Sequence, residues 1–122
     1  MISYATVGSN DLPKAISFYT ELLGTQGLTK LFDHPSGGAI FGKDGQMSFG
    51  VLGPYNGQPA TAGNGTMIAM ALPSREAVDA FYAKALELGG SCEGAPGERG
   101  PGYYMSYFRD LDGNKLCAHK FG

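Results

Sequence analysis

Few residues in this 122-residue chain are suited to chemistry, and they are scattered. Cys92 and Cys117 have neither the dense spacing of a disulfide scaffold nor the C-x-x-C spacing of a metal knuckle, so they read as two reduced thiols. Cys117 and His119 are two residues apart in a strand-like run, and strand alternation puts both on one face. There the thiol is either a small buried hydrophobe or a group that touches substrate. The imidazole is either a general base at a pocket rim or an exposed group near the C-terminus. His34, beside Pro35, belongs to a turn. Arg109 could hold an anionic substrate, or pair with Asp110 or Asp112. Tyr103, Tyr104, Tyr107 and Phe108 alternate across two faces, about half serving a core and the rest, with Tyr107 as the candidate, a pocket.

The elements that must position these residues occur twice. Residues 2–7 are strand-like, and Asn10-Asp11 is an N-cap signal with Pro13 in the first helical turn. Leu12, Ala15, Ile16, Tyr19 and Leu23 recur at helical spacing until Gly24. Strand candidates follow at 28–32, 39–41 and 47–52, with Lys43-Asp44-Gly45 as a hairpin turn. The stretch GPYNGQPATAGNG then reads as a linker. Beyond it the order repeats: a strand over 66–72, the N-cap Ser74, and a helical stripe of Val78, Phe81, Ala85 and Leu88 ended by Gly89-Gly90. A short strand over 91–93, a loop over 94–102, and strands over 103–109 and 115–121 flanking Asp112-Gly113-Asn114 complete it.

Phe18-Tyr19 matches Phe81-Tyr82 at an offset of 63, which places Tyr4 on Met67. Asp44-Gly45-Gln46 matches Asp112-Gly113-Asn114 at an offset of 68, which places Phe49 on Cys117. Element order, caps and hairpin turn agree together, the mark of an internal repeat. The expectation is an α+β domain covering 1–122, built of two tandem βαβββ modules (1–53 and 66–122, joined by linker 54–65). One helix cannot cover both faces of a four-stranded sheet, so the curled mixed sheets should surround a shared cavity with the helices outside.

Composition narrows the partners. Hydrophobic residues make up 43% and charged residues 16%, which excludes a disordered chain. A net charge of -2 without a basic run gives no footprint for nucleic acid or an anionic membrane. The 20 glycines fall between apolar segments, as many short strands with tight turns require. No apolar run approaches the roughly 20 residues that cross a bilayer. Met1 to Tyr4 leads straight into a strand with no signal-peptide pattern, so the expected location is cytoplasmic.

The opening (Ile2-Ser3-Tyr4-Ala5-Thr6-Val7, Asn10-Asp11-Leu12, Ala15-Ile16-Ser17-Phe18-Tyr19) and the ending, Phe108 to Leu116, resemble the vicinal oxygen chelate superfamily. That superfamily includes glyoxalase I, extradiol dioxygenases, bleomycin-resistance proteins and fosfomycin-resistance enzymes. The resemblance implies a cavity in which metal-dependent members hold a divalent ion on the first and last strands of each module. The positions matching that pattern here are Tyr4, Phe49, Met67 and Cys117. They replace the usual histidines and glutamate with a phenol, a phenyl ring, a thioether and a thiol, none suited to a hard divalent ion at neutral pH. Neighbouring residues Ser3, Ala5, Thr66, Ile68, Leu116 and Ala118 offer nothing better.

The expected function is therefore metal-independent small-molecule binding, as in the bleomycin-resistance branch. The pocket would comprise Tyr4, Phe49, Met67, Tyr107, Cys117 and His119, with no metal or other cofactor. The alternative is a glyoxalase-like lyase or dioxygenase-like enzyme, for which Cys117, His119 and Tyr4 are the catalytic candidates. A third reading is a degenerate domain kept for assembly. The resemblance also implies a homodimer, since two modules commonly complete each cavity.

Overall fold

Asp11 and Ser74 start the two helices as their types require, each satisfying an amide that no helical carbonyl can reach. The Asp11 carboxylate accepts from Lys14 N at 3.2 Å and the Ser74 hydroxyl from Ala77 N at 3.0 Å. In the computed structural model, which describes all 122 residues, the chain order is β1 (Ala5–Gly8), α1 (Leu12–Gly24), β2 (Thr29–Asp33), β3 (Ala39–Lys43) and β4 (Gln46–Leu52). It continues with β5 (Ile68–Ala71), α2 (Arg75–Glu87), β6 (Ser91–Glu98), β7 (Tyr103–Arg109) and β8 (Lys115–Phe121). These are the two helices and eight strands of a tandem βαβββ repeat.

The sheets have the same topology, β1-β4-β3-β2 and β5-β8-β7-β6, with one parallel pair at each inner edge and antiparallel pairs elsewhere. Neither sheet closes. The Asp44-Gly45 turn between β3 and β4 has φ of 52° and 76° at its two central residues, the left-handed pair that a two-residue hairpin needs.

Three local readings shift. The first strand starts at Ala5 and the fifth at Ile68, so Tyr4 and Met67 stand just before their strands. Gly24 closes α1 without reversing the chain: Thr25 continues in helical conformation, its hydroxyl donating to the Leu22 carbonyl at 2.7 Å, and the reversal comes at Gly27 (φ 79°). The expected loop after Glu93 is a continuation of β6 to Glu98, with register shifts around Gly94 and Gly97. The pairing groups of β7 need a partner, and bulges let a segment with Pro96 supply one.

The core lies on the helix-covered side of both sheets. Ala15, Phe18, Tyr19, Leu22 and Leu23 of α1 form one buried cluster with Val78, Phe81 and Ala85 of α2, and with Phe41, Phe49, Val51, Phe108, Leu116 and Ala118 from the strands. A polar joint reinforces this contact between modules. The Tyr19 hydroxyl donates to Asp110 Oδ2 at 2.5 Å, and Asn114 Nδ2 donates to the same oxygen and to the Gly8 carbonyl, both at 2.9 Å. Asp110 Oδ1 accepts from the amides of Asp112 and Asn114. Burial first, and the Asp110 carboxylate second, hold the Tyr19 phenol well above its ordinary pKa.

Candidate functional site

The opposite, open faces of the sheets carry several of the residues named from the sequence. In β7 and β8, Phe108 packs on Phe81 of α2, and its partner Leu116 is fully buried. Alternation therefore turns Tyr107, Cys117, Met105 and His119 the other way, in the cross-strand pairs Tyr107–Cys117 and Met105–His119. Met67 stands two residues before Ala69, the partner of Cys117, and is 41% exposed. Tyr4 stands just before β1 and is 45% exposed.

Phe49 does not join them. Its ring lies 4.7 Å from that of Tyr19 and is 2% exposed, which places it on the helix-covered side. The parallel register pairs Ala5 with Phe49, so the residues beside Phe49 that face outward are Ser48 and Gly50. The matched last-strand position of module one thus shares the core with α1 rather than lying on an open face.

Two main hollows lie away from the Cys117 face. One, about 540 Å³, is bordered by Leu23, Leu28, Lys43, Phe49, Met70 and Phe81. The other, about 1000 Å³, is an open groove between the linker and the ends of β1 and β4. Of the expected pocket residues, Phe49 borders the smaller hollow; Tyr4, Met67, Tyr107, Cys117 and His119 border neither.

Burial raises the Cys117 thiol pKa, an effect opposed by the Ser106 backbone and the positive charges of Arg99 and Lys115. The group is therefore a neutral thiol at neutral pH, and it is fully buried. Burial also lowers the pKa of His119, whose Nδ1 is buried without a hydrogen-bond partner and whose ring stacks on Phe121 at 4.2 Å. Arg109 pairs with Glu93, not with Asp110 or Asp112, and its Nη1 donates to the Gly113 carbonyl at 2.7 Å. The bond from Arg109 is the main cause that lowers the Glu93 carboxyl pKa.

Sequence reasoning passed over Arg99 and Lys115. Lys115 lies on the Cys117 face by simple alternation. Arg99 was hidden because GAPGERG reads as loop, whereas the bulged strand brings its guanidinium across Gly94 and Gly97 to within 5.5 Å of the Tyr107 ring centre.

A divalent centre of the superfamily type needs several His or carboxylate groups aimed together. The matched positions hold Tyr4, Phe49, Met67 and Cys117, and no three His, Cys, Asp or Glu side chains gather as a metal set. These residues do not fit such a centre.

The chain belongs to the Glyoxalase/Bleomycin resistance protein/Dioxygenase superfamily, whose family model matches residues 1–118. Over its full length it is similar to a glyoxalase/bleomycin resistance protein from Albidiferax ferrireducens T118, with 41% identity, 100% and 99% of the two chains covered, and a TM-score of 0.90. The fold is also that of lactoylglutathione lyase from Agrobacterium tumefaciens (22% identity, 98% and 92% covered, TM-score 0.72). A genomically encoded fosfomycin resistance protein from Listeria monocytogenes shares it too (20% identity, 100% and 93% covered, TM-score 0.74). No curated protein matches the sequence. No helix is long and apolar enough to cross a membrane.

Proposed function

We propose that this protein binds a small organic molecule without a metal, on the open face formed around Tyr107, Cys117 and His119 with Met67 and Tyr4 at its margins. The observation that carries the reading is the donor set. The superfamily fold is complete, yet the matched ligand positions hold a phenol, a core phenyl ring, a thioether and a buried neutral thiol. Aromatic and thioether side chains recognise a ligand by contact and stacking, and need no metal to do so. Calorimetric titration with Ni and Zn, alongside elemental analysis of the purified protein, tests it. No stoichiometric metal is expected, and tight binding of either ion would overturn the proposal.

One observation favours catalysis as a second reading. His119 is kept neutral by burial, has an unpartnered ring nitrogen and shares the face with Tyr107. A neutral imidazole is a competent general base for a lyase-like proton abstraction.

The open faces also support a homodimer. Tyr4, Phe32, Met67, Tyr103 and Phe121 are 41–51% exposed, apolar surface that a second copy would cover. Light scattering should give twice the 12.8 kDa chain mass; a monomer at micromolar concentration rejects the pairing. The two unpaired thiols suit a reducing compartment, and a cytoplasmic setting is part of this proposal.

A further inference from the structure

The open face of the second sheet gathers two positively charged side chains around Tyr107. Gly94 and Gly97 leave a bare strip of backbone there, and a Cβ added at either position would meet a guanidinium nitrogen of Arg99 at 3.1 Å. Arg99 lies in this strip. Its Nη1 donates to the carbonyls of Gly97 and Met105 at 2.9 and 3.2 Å, and its Nη2 donates to that of Ala95 at 2.7 Å. Three such bonds fix the guanidinium before any ligand arrives, while leaving other N–H groups to donate. Lys115 comes from β8, the strand on the other flank of β7, its Nζ 5.3 Å from the centre of the same Tyr107 ring.

Neither cation has an acidic partner. Five ion pairs occur in the molecule, and none includes Arg99 or Lys115. Glu93, the carboxylate beside this face, is taken by Arg109. Arg109 and Lys115 are direct cross-strand partners, an arrangement of like charges that disfavours the sheet. Glu93 forms its ion pair with Arg109 and acts on Lys115 only at longer range. A chain with a net charge of -2 thus gathers two free positive charges around one tyrosine ring.

We infer that the ligand of this face is a small organic anion, its carboxylate or phosphate-like head drawn to the cations Arg99 and Lys115 that flank Tyr107 and its apolar body against Tyr107, Met105 and His119. The inference rests on the proposed binding function and names its ligand class. Charge-assisted hydrogen bonds supply the preference for an anion, and the adjacent ring supplies contact area.

Phenylacetate and phenylacetamide, nearly equal in shape but differing by one charge, are suitable probes. NMR titration of the full-length labelled chain should move amide signals of residues 94–99, 105–107 and 115–119. Phenylacetate should bind about tenfold more tightly at low ionic strength, and the difference should shrink as salt is raised to about 0.5 M. Lys115→Gln should abolish most of the preference, whereas Lys115→Arg and the remote Lys43→Gln should keep it. The Lys115 side chain makes no hydrogen bond or ion pair, so its variants are the primary test; melting curves check that each is native.

Equal affinity for acid and amide at this face would overturn the anion inference while leaving small-molecule binding intact. A preference unchanged by Lys115→Gln, or shifts confined to other surfaces, would overturn it as well. The metal titration decides the binding proposal separately.

Discussion

Cys117 and Cys92 are chemically the same group in opposite surroundings. Cys117 is fully buried with a raised pKa, whereas Cys92 is exposed. An alkylating reagent attacks the thiolate and must reach it. Native protein should therefore lose the Cys92 thiol first, with Cys117 protected at least about a hundredfold until the sheet opens. Peptide mapping after timed iodoacetamide treatment measures both rates; comparable rates would mean that Cys117 is accessible in solution. His119 makes a second residue-scale prediction. Its pKa is lowered in the folded state, so below about pH 6.5 the unfolded chain binds a proton that the folded chain resists. Stability should fall as pH drops through that range, and His119→Gln should fall less. Melting curves between pH 7.5 and 5 give the comparison.

Among the elements, the β3–β4 hairpin tolerates the least change. A Cβ on Gly42 would stand 1.9 Å from the Gln46 carbonyl oxygen and 2.8 Å from a Leu31 methyl, at the point where the β3–β4 register shifts. Backbone cannot yield as a side chain does, so Gly42→Ala should cost about 2 kcal/mol or more. Urea denaturation against Gly45→Ala, where no atom lies within 4 Å but φ is 76°, separates clash from backbone strain. Helix starts and this turn were legible in the sequence because each is decided within four residues, by Asp11, Ser74 and Asp44-Gly45. The face of Phe49 was not. It depends on which side of β4 the first helix lands, and a repeat offset carries no such information. The extension of β6 was hidden for a related reason, since glycine and proline spell a loop unless a neighbouring strand needs pairing.

At the scale of the molecule, the modules share one core and one buried polar joint. Tyr19→Phe keeps the ring packing but removes a donor from buried Asp110, which should cost about 1–3 kcal/mol. The linker is tied down mainly by Asn10, whose side chain accepts from Ala60 N at 2.7 Å and donates to its carbonyl at 3.0 Å. Tyr55 beside it is fully exposed. A protease should cut near Tyr55 and leave both fragments associated, migrating together on a sizing column; separation of the fragments would show the shared core to be too weak to hold them. The two-module plan was readable from element order, since a repeat announces itself without any contact being known. The joint was not, because it links residues 91 positions apart.

That joint has made the duplication one-way. Tyr82, the counterpart of Tyr19, sits by Cys92 of its own module, whose influence comes first in raising its phenol pKa. At the offset of 68 that aligns the hairpin turns, the counterpart of Asp110 is Gly42, which has no side chain to accept anything. A chain made from two copies of the first module would keep the donor and lose the acceptor, whereas two copies of the second would retain both. The halves look interchangeable in outline, but only one of them can stand in for its sibling.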